Sequence, residues 1–291
     1  MTQTVYLRDD MSGAVCVVTG ANSGIGYATA RDLAREGAKV VMVCRDMTRG
    51  EIARMGIAEE AGSKLPDLLL CDYADLTCVH DVAKEIKESY GAVDVLVNNA
   101  GMISSEHLKT VDGHDLTFQV NHLAPFLLTN LLLDRLEAAR AARVVTVSSG
   151  AHEFMRHGMD FDDIELDERW SPFRAYASSK LANVLFAYEL CARLGGTNVT
   201  SNAVHPGSVQ SGFGRTLRGG FGGVIRLAQP FLRSPEKGAQ TLVYLATAAE
   251  IAGISGGYFH DMRPVASSKA SMDAEAGRRL WKISAEMVGI S

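Results

Sequence analysis

The chain has 291 residues, 47% of them hydrophobic and 22% charged, which excludes a disordered chain and allows a large core without staples. A formal net charge of −5 gives no general attraction to nucleic acid or to anionic membranes. The five cysteines are odd in number and scattered, with no CxxC pair, so a reducing compartment is expected in place of a disulfide framework or zinc site.

In chain order, the opening "MTQTVYLRDDMSG" lacks the apolar run of a signal peptide or membrane anchor, so a cytoplasmic protein without a transmembrane segment is expected. The first strand, "AVCVVTG" (14–20), runs into "TGANSGIG" (19–26) and a helix over 24–36. Glycines at 20, 24 and 26 permit a tight turn, and the helix N-terminus offers free N–H groups to a pyrophosphate. A structural glycine turn would share this pattern, but its place at the first strand–helix junction favours a dinucleotide. The second strand, "AKVVMVC" (38–44), ends at Cys44, followed by Arg45 and, a turn on, Arg49. An acid there would hold a ribose 2′-hydroxyl, whereas a guanidinium suits a 2′-phosphate, so the cofactor expected is NADP(H). Asp46 reads as the N-cap of a helix over 46–61.

Strands follow at "DLLLCD" (67–72), "VDVLVNN" (93–99), "ARVVTVS" (142–148) and "NVTSNAVH" (198–205), with helices over 75–90, 114–138 and 174–194. Their continuous apolar character is that of parallel strands covered on both faces. The alternation predicts an α/β fold: one Rossmann-like domain over 1–291, a doubly wound parallel sheet with helices on both faces and ligands at the strand C-terminal ends. The rhythm breaks at 206–234, where glycines mix with bulky apolar residues, and a substrate lid at about 208–233 is expected. "SPEKGAQTLVYLAT" resumes a helix and "GGYFHD" is a short final strand.

The chemistry concentrates in "YASSK" (176–180), where Tyr176 and Lys180 share one helix face. An ammonium ~4 Å from the phenol, at an effective dielectric near 20, supplies about 4 kcal/mol. That suffices to turn a group of pKa near 10 into a proton donor near neutral pH. Ser149 lies at the end of the fifth strand and can orient a substrate oxygen, with Ser148 as its competitor. In "FQVNHLAPFLL", Pro125 has no N–H for the carbonyl of Asn121, which frees that acceptor. The acidic run Asp160, Asp162, Asp163, Glu165, Asp167, Glu168 lacks the glycine of a calcium loop and reads as a solvated loop. His152, His157 and His205 show no ligand spacing, so no metal is expected.

"TGANSGIG", "NNAG" (98–101), "SS" (148–149) and "YASSK", in that order, resemble the short-chain dehydrogenase/reductase family over nearly the whole chain. "VCRDMTRGE", "SKLANVLFAYELCARL", "HPGSVQSGF" and "AEAGRRLWKISAEMVG" are most similar to its retinol-dehydrogenase-like branch. The resemblance implies a catalytic set of Asn121, Ser149, Tyr176 and Lys180. Tyr176 would protonate a carbonyl oxygen, and Ser149, the second serine, would steady it. Lys180 would also bind the nicotinamide ribose, and the Asn121 carbonyl would hold a water linking Lys180 to solvent. For the cofactor it implies Gly20, Asn22, Ser23, Gly24, Ile25, Gly26, Arg45, Asp72, Asn98, Ala100, Gly101, Tyr176, Lys180, Pro206, Gly207, Val209 and Ser211.

The function expected is NADPH-dependent reduction of a ketone or aldehyde on a bulky apolar substrate (aromatic polyketide, steroid or retinoid-like), lined by Met102, Phe154, Met155 and Trp170. Retinoid enzymes of this branch often carry an N-terminal membrane anchor, whose apolar run the opening lacks. A homodimer or homotetramer is compatible with the resemblance. Two alternatives stay open: an alcohol dehydrogenase working oxidatively, and a catalytically silent NADP(H)-sensing binding protein.

Overall fold

The valine-rich runs become the strands of one sheet. The computed structural model describes residues 11–209 and 233–290. Its strands are β1 (Val15–Thr19), β2 (Lys39–Cys44), β3 (Asp67–Leu70), β4 (Val95–Asn98), β5 (Ala142–Val147), β6 (Val199–Val204), β7 (Tyr258–His260) and β8 (Arg263–Pro264). Their order is β3-β2-β1-β4-β5-β6-β7-β8, parallel except for β8 against β7. Strand order reverses between β1 and β4, and a doubly wound sheet opens its ligand crevice at that point.

Side chains on β1 alternate between two cores. Cys16 and Val18 pack in the layer with Leu33, Ile57 and Leu242, which come from α1 (Gly24–Arg35), α2 (Met47–Ala61) and α8 (Pro235–Thr247). Val17 packs opposite, with Ile86, Leu127 and Leu185 from α3 (Leu76–Ser89), α5 (Ala124–Leu131) and α7 (Pro172–Arg193). Burial on both faces is why the strands lack polar alternation.

The helix expected over 114–138 is instead broken. It runs as α4 (Leu116–Phe118), a π-helical turn over Gln119–Leu123, α5, and α6 (Leu133–Glu137). Pro125 has no N–H to continue the α-register, and the chain widens: the N–H of Ala124 reaches back to Gln119 O. The π-turn carries Asn121.

A further helix, α9 (Ala274–Met287), covers α5 and α7 and was not foreseen as a helix. Trp281 meets Phe126 edge-on at 4.9 Å and stacks on Phe186 at 5.9 Å, with the Arg193 guanidinium 4.3 Å from its ring. Ser284 Oγ lies 2.8 Å from Nε2 of the buried His122 on the π-turn.

The acidic run departs from a solvated loop. Glu165 accepts from the N–H of Asp115 at 2.6 Å and from Lys109 Nζ at 3.3 Å. Lys109 also pairs with Asp167 at 2.7 Å. These bonds pin the stretch after β5 to the loop before α4. All five cysteines are free thiols, and among the described residues no helix is long and apolar enough to cross a membrane.

Candidate active site

The glycine loop between β1 and α1 forms the floor of the crevice. Gly20 and Gly24 adopt φ of +67° and +58°, which side chains with a Cβ rarely do. Gly26 is needed for closeness: a Cβ there would stand 2.4 Å from Gly20 O and 2.5 Å from Asn99 Nδ2. Asn99 braces the loop from β4, donating through Nδ2 to Thr19 O at 2.7 Å. The N–H groups of Asn99 and Ala100 both donate to Thr19 Oγ1 at 3.0 Å. Asn99 was missed by sequence reasoning, although it stands inside the recognised "NNAG". Ser23 caps α1 without a side-chain hydrogen bond, while α2, α3, α7, α8 and α9 are all capped by one. No acid sits in the first turn of α1, so its N–H groups remain available to an anion.

At the end of β2, Cys44 is buried and Arg45 is exposed. Burial pushes the Cys44 thiol up to about 11, while the N–H groups of Ala21 and Asn22 and the charge of Arg49 act the other way. The thiol thus faces the glycine loop, and Asp46 caps α2 by accepting from Arg49 N at 2.9 Å. Two other residues expected at the cofactor have side-chain partners within the protein. Asp72 closes the turn after β3 by accepting from Ala74 N at 3.0 Å. The Asn98 side chain is buried and donates to Thr129 Oγ1 on α5 at 2.9 Å, away from the crevice.

The proposed catalytic residues converge where β5 and α7 meet. Ser149 follows β5, and its hydroxyl is close enough to Tyr176 to act on the phenol. Ser148 is excluded as the exposed serine, because its buried Oγ donates to Lys180 O at 2.7 Å. Lys180 Nζ lies over the Tyr176 ring, 5.6 Å from its centre. It also donates to Val147 O at 3.1 Å, sharing that carbonyl with Asn183 Nδ2 at 3.0 Å. Burial pushes Lys180 down to about 8. Burial also raises the Tyr176 phenol above its ordinary value, with the nearby Ser149 hydroxyl opposing it.

Asn121 is fully buried, and its side chain is a clamp. Its Oδ1 accepts from Met102 N at 2.7 Å, and its Nδ2 donates to Met102 O at 2.8 Å and Ser179 Oγ at 2.9 Å. Gly101 lies beside it: a Cβ would be 3.1 Å from Asn121 Oδ1 and 3.4 Å from Lys180 Nζ.

Beyond β6, Pro206 is buried and Val209 reaches the glycine loop. A Cβ on Gly238 would meet Val209 Cγ2 at 2.7 Å and Ile25 Cγ1 at 3.2 Å. Gly207 is flanked by Arg233, whose N–H donates to Ser208 O at 2.8 Å and whose guanidinium pairs with Asp261. Ser211, and the lid expected at 208–233 apart from its two ends, lie outside the described residues.

Of the apolar side chains expected around a substrate, Phe154 is 67% exposed and meets Phe173 edge-on at 5.0 Å. Met155 is taken into the core. Trp170 stacks on His107 at 5.2 Å and donates to Asp115 Oδ2 at 3.1 Å. Among the described residues no group of His, Cys, Asp and Glu is arranged to hold a metal.

The short chain dehydrogenase family model matches residues 14–160. Retinol dehydrogenase 14 of Mus musculus is 40% identical over 298 residues, covering 96% of this chain and 87% of its own length. Retinol dehydrogenase 13 of Homo sapiens is 40% identical over 303 residues, covering 98% and 91%. A crystal structure of an uncharacterized protein from Mycobacterium paratuberculosis is 33% identical and matches with a TM-score of 0.78, over 98% of this chain and 96% of that one.

Proposed function

The chain belongs to the short-chain dehydrogenase family of oxidoreductases, and we propose that it reduces a ketone or aldehyde on a bulky apolar substrate with NADPH. The observation that carries this reading is the grouping of Ser149, Tyr176 and Lys180 at the C-terminal end of β5, with Lys180 Nζ 5.6 Å from the centre of the Tyr176 ring. The glycine cradle and the uncapped start of α1 fit a pyrophosphate, and exposed Arg45 and Arg49 fit a 2′-phosphate. Bound NADPH supplies the hydride to the carbonyl carbon. Tyr176 gives its phenolic proton to the carbonyl oxygen, and Ser149 Oγ donates a hydrogen bond to that same oxygen.

Burial, which keeps the proton on Tyr176 at neutral pH, suits the reductive direction. The phenolate left behind is stabilised by the Lys180 ammonium: at 5.6 Å and an effective dielectric of 20 the attraction is about 3 kcal/mol. Asn121 ties Met102 to Ser179, the residue before Lys180. The edge-on pair Phe154 and Phe173 supports an apolar substrate, being uncharged and close in sequence to Ser149 and Tyr176. The free thiols fit a reducing compartment such as the cytoplasm.

Steady-state turnover of NADPH against a panel of aromatic and polycyclic ketones and aldehydes tests the reading, and no turnover with any of them would refute it. Arg45→Asp is expected to raise KM for NADPH tenfold or more and to affect NADH less, since a 2′-phosphate contact becomes repulsive. A wild-type preference for NADH would overturn the assignment of Arg45.

The pH dependence follows from Lys180. Its folded pKa of about 8 lies below the ordinary 10.5, so the ammonium is present below about pH 8 and lost as pH rises through it. The kcat/KM for the carbonyl is therefore expected to fall above about pH 8. Lys180→Arg, charged throughout that range, should remove this limb of the profile. A wild-type limb that begins only near pH 10.5 would show that burial does not tune this lysine.

A further inference from the structure

His152 is fully buried in a single 3₁₀ turn, Gly150–Phe154, whose N-cap is Ser149. Buried histidines must satisfy or forfeit two ring nitrogens, and here both have backbone partners. Nδ1 lies 2.7 Å from Ser149 O, and Nε2 lies 3.1 Å from the N–H of Ser268. A carbonyl only accepts and a backbone N–H only donates, so the tautomer follows from the partners: the proton is on Nδ1 and the lone pair on Nε2. The opposite tautomer would set N–H against N–H and leave the Ser149 carbonyl facing a lone pair.

The far partner is itself anchored. Ser268 O accepts from Ser271 Oγ at 2.7 Å, and the adjacent Ser267 Oγ lies 2.8 Å from the hydroxyl of Tyr188. Tyr188 stands on α7, the helix that carries Tyr176 and Lys180. Ser149 is thereby referenced to α7 through its carbonyl, His152 and the 267–271 segment.

We propose that His152 is a positioning residue for the reduction: it holds the backbone of Ser149 so that the serine hydroxyl and Tyr176 meet the same substrate oxygen. The inference rests on the reductase reading above. The Tyr258 hydroxyl also lies 3.5 Å from Nδ1, so the buried ring is packed in place while its shorter bond holds the Ser149 carbonyl. Misplacing a group by about 1 Å can cost on the order of 100-fold in rate, so this placement matters even though the imidazole does no chemistry.

The test compares His152→Ala, His152→Gln, Ser149→Ala and the Ser149→Ala/His152→Ala double variant, with kcat and KM for NADPH measured for each. His152→Ala is expected to lower kcat by about 10- to 100-fold while KM for NADPH stays within about twofold. Glutamine, whose amide can donate to one carbonyl and accept from one N–H, should recover most of the loss. Adding His152→Ala to Ser149→Ala should cost little more, because the residue it positions is gone. Additive losses, no recovery with glutamine, or a kcat for His152→Ala near wild type would each overturn the proposal.

A wild-type protein inactive with every carbonyl would instead remove the reductase reading. In that case, or if the alanine variant does not fold, ¹⁵N-histidine spectra of the wild-type protein decide. A proton on Nδ1 of His152 supports the assignment, and a proton on Nε2 overturns it.

Discussion

Tyr176→Phe is expected to bind NADPH as tightly as the wild type and to turn over about 10²–10⁴-fold more slowly, the usual worth of a general acid. The substitution removes one hydroxyl and almost no volume. Ser149 offers no acid in its place: its hydroxyl oxygen accepts from the N–H of Ala151 at 3.2 Å. Equilibrium titration of NADPH alongside single-turnover rates separates binding from chemistry. A phenylalanine variant within a few-fold of the wild-type rate would remove Tyr176 from the mechanism.

Gly26→Ala should abolish cofactor binding for a different reason. The added methyl would stand 2.4 Å from Gly20 O, a backbone atom that cannot swing aside as a side chain can. The same methyl would press on Asn99 Nδ2, whose bond to Thr19 O holds β1 to β4. Either the loop lifts from α1 or the brace breaks, and both spoil the pyrophosphate seat. Dinucleotide affinity is expected to drop at least 100-fold, about 2.7 kcal/mol. Thermal unfolding should also shift down, since overpacking typically costs about 1–3 kcal/mol. An alanine variant that binds NADPH within a few-fold of wild type would show that the phosphates lie elsewhere.

Much of this was visible in the sequence because it is local. The apolar runs that become β1, β2, β4 and β5 need no partner to be recognised, and the glycine spacing fixes the loop that follows β1. The YASSK helix face was equally direct. What escaped depends on partners distant in the chain. Lys180 was expected beside Tyr176 and lies over its ring, but its bond to a carbonyl 33 residues earlier is not visible in the helix spacing. Asn98 and Asn99 are neighbours of one type, yet one faces α5 and the other the glycine loop, because β4 sends alternate side chains to opposite faces. The run 114–138 has helical periodicity throughout, and periodicity does not report the register change that Pro125 imposes. The acidic stretch after β5 reads as solvated until Lys109 and the N–H of Asp115 are brought to it from the other side of β5.

The packing of α9 bears on the order in which the molecule can be completed. A chain leaves the ribosome from its N-terminus, so α5 and α7 are synthesised well before Trp281 arrives to close over Phe126 and Phe186. Until then the outer faces of those helices present aromatic rings to water, and His122 lacks its contact with Ser284. The opposite layer of the sheet is no more local, since Cys16 and Val18 of β1 pack with Leu242 of α8. Both layers therefore close late, and the packing behind the helix of Tyr176 and Lys180 is complete only once α9 has been synthesised.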